Sequence, residues 1–440
     1  MSPAAPATLN DWLAYIEQQH TQAIELGLDR LFVVKAALGQ TQTCPVITVG
    51  GTNGKGSTCA MLEAILTAAG YRVGLYTSPH LLHYNERVRL NGKPVSDAAL
   101  CAAFARVETA RGQVPLTYFE FGTLGAWEVF AAASPDVIIL EVGLGGRLDA
   151  VNIYDPDCAI VTGIDLDHMD FLGDTREKIA FEKAGIFRPG KPAICGDLQV
   201  PHTLVEHAQK IGADLQLIGR DFGFETQTET RQWAWWGRGT KRGASENIRR
   251  GGLAHPALRG SRQLLNASVV LAALDTLHER LPLSMAEIRQ GLAVVELPGR
   301  FQSLPGRPVT VLDVAHNPQA ARVLADNLLD QGFFGTTWAV CGMLRDKDMA
   351  GVIAALQGRI ERWLPCTLGG PRGASAAELA QCLQAAGETV EAEFDTVMAA
   401  YAHAQERAAE NDRIVVFGSF LTVAEVLDTQ SAPAPTGSQG

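Results

Sequence analysis

No stretch of this sequence approaches the roughly 18 consecutive apolar residues that a membrane-crossing helix needs. Positive charge is also scarce: 37 Lys and Arg stand against 48 Asp and Glu, a net charge of −11. A protein that grips nucleic acid draws most of its affinity from neutralising phosphates, so this balance excludes a general nucleic-acid binder. No C-x-x-C pair occurs among Cys44, Cys59, Cys101, Cys158, Cys195, Cys341, Cys366 and Cys382. In a long chain that spacing predicts reduced, mostly buried thiols, and neither a disulfide framework nor a zinc site. The opening Met-Ser-Pro-Ala-Ala-Pro has no basic segment ahead of an apolar core, and the first lysine is Lys35, so no secretory signal is expected. The expected compartment is the cytoplasm. Apolar material is plentiful: 47% of residues are hydrophobic and 19% charged, which excludes a wholly disordered chain. At roughly 150 residues per domain, 440 residues predict two to three domains.

Short β-rich runs alternate with helical patterns along the chain. Pro45–Gly50 (P-V-I-T-V-G) and Asp136–Glu141 (D-V-I-I-L-E) read as buried strands, as do Arg72–Tyr76, Cys158–Gly163 and Pro192–Cys195. Helical spacing covers Ser57–Ala69, Ser96–Ala110, Phe121–Ala133 and Leu264–Leu277. Such alternation predicts a mainly parallel sheet with helices on both faces. Phe222–Gly260 breaks the pattern with Trp233, Trp235, Trp236 and several glycines, and from Arg231 to Gly260 seven basic residues meet one acid. A basic tryptophan-bearing stretch suits a nucleic-acid patch. In so acidic a chain, a small antiparallel excursion with exposed basic turns is the preferred reading. L-P-G-R-F at Leu297–Phe301 marks a boundary. A second alternating set follows: strands Thr310–Val314, Thr337–Cys341 and Arg413–Phe417, with helices Pro318–Asp330, Met349–Leu356, Ser375–Ala386 and Thr396–Ala409. The polar, Pro-containing end predicts a disordered tail.

The sharpest chemical signal is V-G-G-T-N-G-K-G-S-T, Val49–Thr58: a buried strand, glycines, Lys55, two hydroxyls, then a helix. Glycines let backbone N–H groups approach phosphate oxygens, the helix N-terminus adds a positive dipole end, and a lysine neutralises β/γ charge. The Ser57 hydroxyl suits Mg²⁺ beside the phosphates. The strict G-x-x-x-x-G-K-[ST] pattern is not met, because Val49 replaces its first glycine and Gly56 separates Lys55 from Ser57.

Glu141 ends an apolar strand, where a parallel sheet presents its ligand crevice. The G-L-G-G-R after it predicts glycines that free the backbone to approach a ligand. Asp165, Asp167, His168 and Asp170 cluster behind the next strand. For a hard cation the oxygen ligands Asp165 or Asp167 are the choice on chemistry alone. Lys183, in E-K-A-G-I-F, has the pattern of a surface helix lysine.

Together these segments resemble the Mur ligase superfamily, and more closely its folylpolyglutamate synthase and dihydrofolate synthase branch. The likeness rests on G-T-N-G-K-G-S, S-P-H (Ser78–His80), T-Y-F-E (Thr117–Glu120) and L-E-V-G-L-G-G-R-L-D-A (Leu140–Ala150). D-H-M-D-F-L-G (Asp167–Gly173), E-K-A-G-I-F, L-P-G-R-F, D-V-A-H-N-P (Asp313–Pro318) and G-S-F (Gly418–Phe420) complete it. The resemblance implies an α/β fold: a P-loop ATPase-like domain with a small β-rich excursion over residues 1–296, then a smaller Rossmann-like domain over 297–428, with the tail at 429–440. It implies an ATP-dependent amide ligase that joins L-glutamate to 7,8-dihydropteroate and to reduced folates through an acyl phosphate. ATP and Mg²⁺, as two ions, are the implied cofactors, and a monomer free of nucleic acid and membrane is the implied state.

Site residues follow from the same resemblance. Gly51, Thr52, Asn53, Gly54, Lys55, Gly56, Ser57 and Thr58 would hold nucleotide, with Asn266, Arg300 and Asp313. Ser57, Glu141, His168 and a carbamylated Lys183 would hold metal. Thr117, Tyr118, Phe119, Glu120, Leu148, Asp149 and Ala150 would form the pterin region, although Y-F alone reads as core packing. Lys55, Lys183, Arg300 and His316 would serve the reaction. His316 either positions the glutamate or caps the helix after it. A monofunctional folylpolyglutamate synthase, another Mur-type ligase, a nucleotide switch or motor, and a non-catalytic nucleotide-binding regulator are the competing readings.

Overall fold

The computed structural model describes residues 6–431, except 23, 228, 230, 231, 239–246 and 261. It resolves into two compact units, Met1–Ala257 with Gln263–Glu296, and Leu258–Arg262 with Leu297–Gly440. Segment 258–262 is where the division departs from a single cut at residue 297. The final helix, Phe420–Ser431, runs past residue 429, where the expected tail starts, and the rest of that tail, 432–440, lies outside the described residues.

The first unit is built on eight strands: β1 (Val46–Gly50), β2 (Val73–Tyr76), β3 (Val88–Leu90), β4 (Lys93–Pro94), β5 (Val137–Glu141), β6 (Cys158–Val161), β7 (Pro192–Cys195) and β8 (Asp214–Leu217). Their order is β4-β3-β2-β5-β1-β6-β7-β8, and all are parallel except the β3 and β4 edge. Strands buried on both faces read as near-continuous apolar runs, and β1 and β5 are buried at every position, including Thr48 and the strand-end Glu141. β1 lies between β5 and β6, with Val49 opposite Glu141 and Gly50 opposite Val161. That register brings the loops leaving β1, β5 and β6 to one edge of the sheet.

Helices begin where their caps say. Thr117 and Glu120 form a reciprocal capping box that starts the helix at Tyr118, three residues before Phe121. Ser96 caps Asp97–Arg111 in the expected place. The excursion is a three-stranded antiparallel sheet, β9 (Phe222–Gln227), β10 (Gln232–Arg238) and β11 (Asn247–Ala254), with β10 central. Trp233 and Trp235 are fully buried there, and their indole N–H groups donate to Ala254 O at 2.9 Å and Ser268 O at 3.1 Å. Arg250 stacks on Trp235 and pairs with buried Asp275 at 2.7 Å. These two rings are spent on packing, whereas Trp236 is half-buried. Part of the basic stretch, residues 231 and 239–246, lies outside the described residues.

The second unit carries β12 (Gln302–Leu304), β13 (Val309–Asp313), β14 (Thr337–Cys341), β15 (Arg362–Pro365) and β16 (Arg413–Phe417), ordered β12-β13-β16-β14-β15. Only β12 runs antiparallel. Phe417 stands opposite both Asp313 and Cys341, so the loops after β13, β14 and β16 share one edge. No helix is long and apolar enough to cross a membrane among the described residues.

Candidate active site

The helix Lys55–Ala68 starts at the lysine of the glycine loop, and its first intrahelical bond runs from Thr58 N to Gly54 O. The N–H groups of its opening turn therefore have no partner within the helix, which is the arrangement that binds phosphate. The loop is held from the neighbouring strand. Thr52 N donates to Gly163 O at 2.7 Å, and Thr52 Oγ1 both donates to Asp165 O and accepts from Asp165 N, each at 3.1 Å. The Thr162 hydroxyl donates to Asn53 O at 2.7 Å. Thr162 was invisible as a site residue in the sequence, where it is one polar residue after an apolar strand.

Gly51 has φ +143°, and a Cβ there would stand 2.0 Å from Thr162 Oγ1. Gly51→Ala is expected to weaken nucleotide binding about tenfold or more by calorimetry, since strain of this kind costs about 1–3 kcal/mol. Lys55 Nζ donates to Gly51 O at 3.1 Å and Thr52 O at 3.3 Å. The Ser57 side chain is 5% exposed, and its hydroxyl has no hydrogen bond among the described residues. Thr58 faces the core, its buried hydroxyl unpaired, and so offers no side-chain oxygen to a ligand. Asn266, on the helix Gln263–Thr276, brings Oδ1 against Gly54.

Glu141 is buried at the end of β5 and accepts from Ser78 N at 3.1 Å. The glycines after it serve packing. A Cβ at Gly146 would meet Glu182 O at 2.8 Å and Lys183 O at 3.0 Å, so this loop lies directly on the helix Arg176–Ala184. At Gly146, close helix packing takes the place of the expected ligand approach, and it brings Lys183 next to this loop. Lys183 is only 4% exposed, and its amine has no hydrogen bond or ion pair among the described residues. Burial, and then the charge of Lys55, push its pKa down to about 7, against the opposing pull of Asp167 and Asp149. The surface pattern of E-K-A is thus misleading. Asp149 is buried too, its carboxyl pushed up to about 7 by burial against backbone hydrogen bonds and Lys55. It accepts from Leu144 N at 2.7 Å and Val151 N at 3.1 Å, capping a short helix at Ala150.

His168 has a left-handed backbone, φ 52°, and opens a short helix, with Nε2 3.9 Å from Asp167. Its side chain is 37% exposed. Among the described residues no three His, Cys, Asp or Glu side chains converge to hold a metal. A cation here would draw on Ser57, Glu141 and phosphate oxygens, a hard donor set that suits Mg²⁺. The orphaned Lys183 amine fits carbamylation, which supplies one more such oxygen group.

The T-Y-F-E residues divide by role. Glu120 is buried, capping its helix and pairing with Arg30 at 2.8 Å. Phe119 is half-buried and covers Gly143, just beyond Glu141, with its ring centroid 5.9 Å from that of Tyr76. Tyr118 turns toward Arg87. Leu148 is half-buried and Ala150 buried beside Asp149.

In the second unit Arg300 stacks on Phe420, 5.2 Å from the ring centroid, and the His316 ring stands 6.2 Å from the same ring. Asp313 accepts from Phe301 N and Ala315 N, its carboxyl raised by burial against the lowering charge of Arg300. His316 Nδ1 lies 2.8 Å from Val314 O, which requires the proton on that nitrogen. Asn317, whose side chain accepts from Ala320 N, caps the helix Pro318–Asp330, so capping is not the role of His316.

Known proteins carry the same plan. Residues 49–274 match the Mur ligase middle domain and residues 299–420 the Mur ligase glutamate ligase domain. The chain is 45% identical to the Escherichia coli dihydrofolate synthase/folylpolyglutamate synthase, over 98% of this chain and 97% of that protein. E. coli FolC in complex with DHPP and ADP superposes with a TM-score of 0.90 at 45% identity, covering 98% of this chain and all of that one. A bifunctional folylpolyglutamate synthase/dihydrofolate synthase with Mn, AMPPNP and L-glutamate bound gives 0.88 at 45% identity and the same coverage.

Proposed function

The chain belongs to the Mur ligase family, among its dihydrofolate synthase/folylpolyglutamate synthases, and from that membership we propose how its own residues divide the work. It is an ATP-dependent ligase that uses a divalent metal and joins L-glutamate to 7,8-dihydropteroate, giving dihydrofolate, and to reduced folates, giving folylpolyglutamates. The acceptor carboxylate attacks the γ-phosphorus of ATP, forming an acyl phosphate and releasing ADP. The glutamate amine then adds to the acyl carbon, and phosphate leaves as the amide forms and a proton is lost.

The observation that carries this assignment is 45% identity to the E. coli enzyme over nearly the whole chain, combined with a phosphate loop that opens a helix beside the strand ending in Glu141. We assign loop residues Gly51–Ser57 to the nucleotide phosphates, with Lys55 neutralising β/γ charge and Asn266 beside the loop. Ser57, Glu141, His168 and carbamylated Lys183 would hold the metal, which supplies charge neutralisation at the transferring phosphoryl group when bound. Phe119, with its ring over Gly143, is assigned to stack on the pterin, and Tyr118, Leu148, Asp149 and Ala150 to line the region beside it. Thr117 and Glu120 set the helix that carries Phe119. In the second unit, Arg300 and Asp313 are assigned to nucleotide and His316 to the glutamate. The reaction asks for positioning and charge neutralisation more than for a strong base. The acidic net charge and the buried Trp233 and Trp235 support a chain with no nucleic-acid partner, and eight free cysteines support a reducing, cytoplasmic compartment.

An acceptor screen with ATP, Mg²⁺ and L-glutamate tests the activity. ADP release should need both glutamate and either dihydropteroate or tetrahydrofolate. Equal ATP turnover without glutamate, or a peptidoglycan precursor outcompeting dihydropteroate, would overturn it.

A further inference from the structure

The S-P-H segment begins a loop that no assignment above uses. Ser78 N binds the Glu141 carboxylate, and His80 follows two residues later, at most about 7 Å along the chain. The loop is rigid. Glu86 accepts from the N–H groups of Leu81, Leu82 and His83 at 2.7, 2.8 and 2.7 Å, and Thr77 N donates to Arg87 O at 2.9 Å.

Arg87 is the exception within this ordered loop. Its Nε donates to His80 Nδ1 at 2.8 Å. Its guanidinium lies over the Tyr84 ring at 5.3 Å and the Tyr118 ring at 5.6 Å. Nη1 and Nη2 make no hydrogen bond or ion pair among the described residues. The nearby carboxylate of Glu86 is already spent on three backbone donors. A half-buried cation without a counter-ion is costly unless an anion completes it. Two aromatic contacts and an occupied Nε leave one edge of the guanidinium, the edge that meets a carboxylate through two parallel hydrogen bonds.

His80 fixes that edge. Burial and then the charge of Arg87 push its pKa down to about 4, so the ring is neutral at pH 7. A neutral ring that accepts at Nδ1 carries its proton on Nε2. The neighbouring aromatic Phe119 belongs to the same helix turn as Tyr118, which places the guanidinium beside the segment assigned to the acceptor ring system.

We propose that Arg87, oriented by His80, is the residue that binds the carboxylate of the acid acceptor. This rests on the ligase activity stated above. The carboxylate has two sources: the single one of dihydropteroate, which is the reacting group, and the additional α-carboxylate of a glutamylated folate.

The test is steady-state kinetics of Arg87→Met, Arg87→Lys, His80→Leu and His80→Gln with both acceptors, at saturating ATP and glutamate. Arg87→Met is expected to raise the acceptor KM about 10- to 100-fold, the worth of a charge-assisted pair, with the ATP KM within about twofold of the parent. Arg87→Lys should fall between, because a point charge cannot make the paired contact. His80→Gln, which keeps an acceptor for Nε, should restore most of what His80→Leu loses, marking His80 as a positioning residue. A rise for both acceptors assigns the reacting carboxylate, and a rise for tetrahydrofolate alone assigns the α-carboxylate. Unchanged KM for both overturns the proposal. Equilibrium binding adds an arm independent of turnover. Where the reacting carboxylate is assigned, the parent should prefer dihydropteroate over its carboxamide and Arg87→Met should bind the two alike; where the α-carboxylate is assigned, the same should hold for tetrahydrofolate against its α-carboxamide. If the parent itself releases no ADP with either acceptor, the activity fails. If the parent turns over and the Arg87 variants match it, only this assignment fails.

Discussion

Lys55→Met is expected to lower kcat/KM for ATP by about 10³-fold while leaving the melting temperature within a few degrees. The size follows from removing one group that stabilises transferring charge in a preorganised site, which costs about 3–4 kcal/mol. The mildness toward folding follows from the contacts. Among the described residues Lys55 Nζ binds only the carbonyls of Gly51 and Thr52, on its own loop, and the loop is held independently by Thr52 and Thr162. Methionine keeps the aliphatic stem and helix propensity at the first position of Lys55–Ala68. Nucleotide binding by calorimetry should weaken much less than kcat/KM falls, because the backbone N–H groups remain. A variant that retains more than about a tenth of parental kcat/KM would remove Lys55 from the charge-neutralising role.

Much of the first unit was readable because its central strands are near-continuous apolar runs. P-V-I-T-V-G and D-V-I-I-L-E left little choice, and the glycine loop could only follow the first of them. β3 and β4 were missed because two or three residues carry no period. The second unit shows the same limits: Pro318–Asp330 has its cap and its proline and matches residue for residue, while β12 and the final helix Phe420–Ser431 gave no signal.

The site divides along a different line. Residues proposed to present backbone or a strand-end acid, Gly51 to Ser57 and Glu141, stand out in local order. Residues whose role depends on what packs against them were not. Thr117, Glu120 and Asp149 were read only as ligand contacts, and each also terminates a helix with a buried polar group. Capping and ligation call for the same short oxygen-bearing side chains, so one sequence supports both. Gly146 was read as room for a ligand, and it is room for the helix that carries Lys183.

Lys183 is where burial changes the chemistry most. An exposed lysine amine is protonated near neutral pH and cannot attack CO₂. With its pKa pushed down to about 7 by burial and Lys55, about half of the amine is neutral at pH 7 and most of it at pH 8. The neutral nitrogen adds to the carbon of CO₂, forms an N–C bond and releases a proton, leaving an anionic carbamate in place of a buried cation. That exchange also relieves the repulsion from Lys55. Carbon-13 NMR of the enzyme in labelled bicarbonate should therefore show one carbamate signal per chain, absent in Lys183→Met. Its intensity should rise with pH through about 7, the direction in which the amine loses its proton. Lys183→Met should lose about 10³-fold in kcat/KM, the several kcal/mol that an anionic metal-side group supplies. A short carboxylate such as formate should recover part of the loss by filling the vacated oxygen position. Full activity of Lys183→Met, or a parent enzyme with no carbamate signal at pH 8, would leave the buried amine without this role.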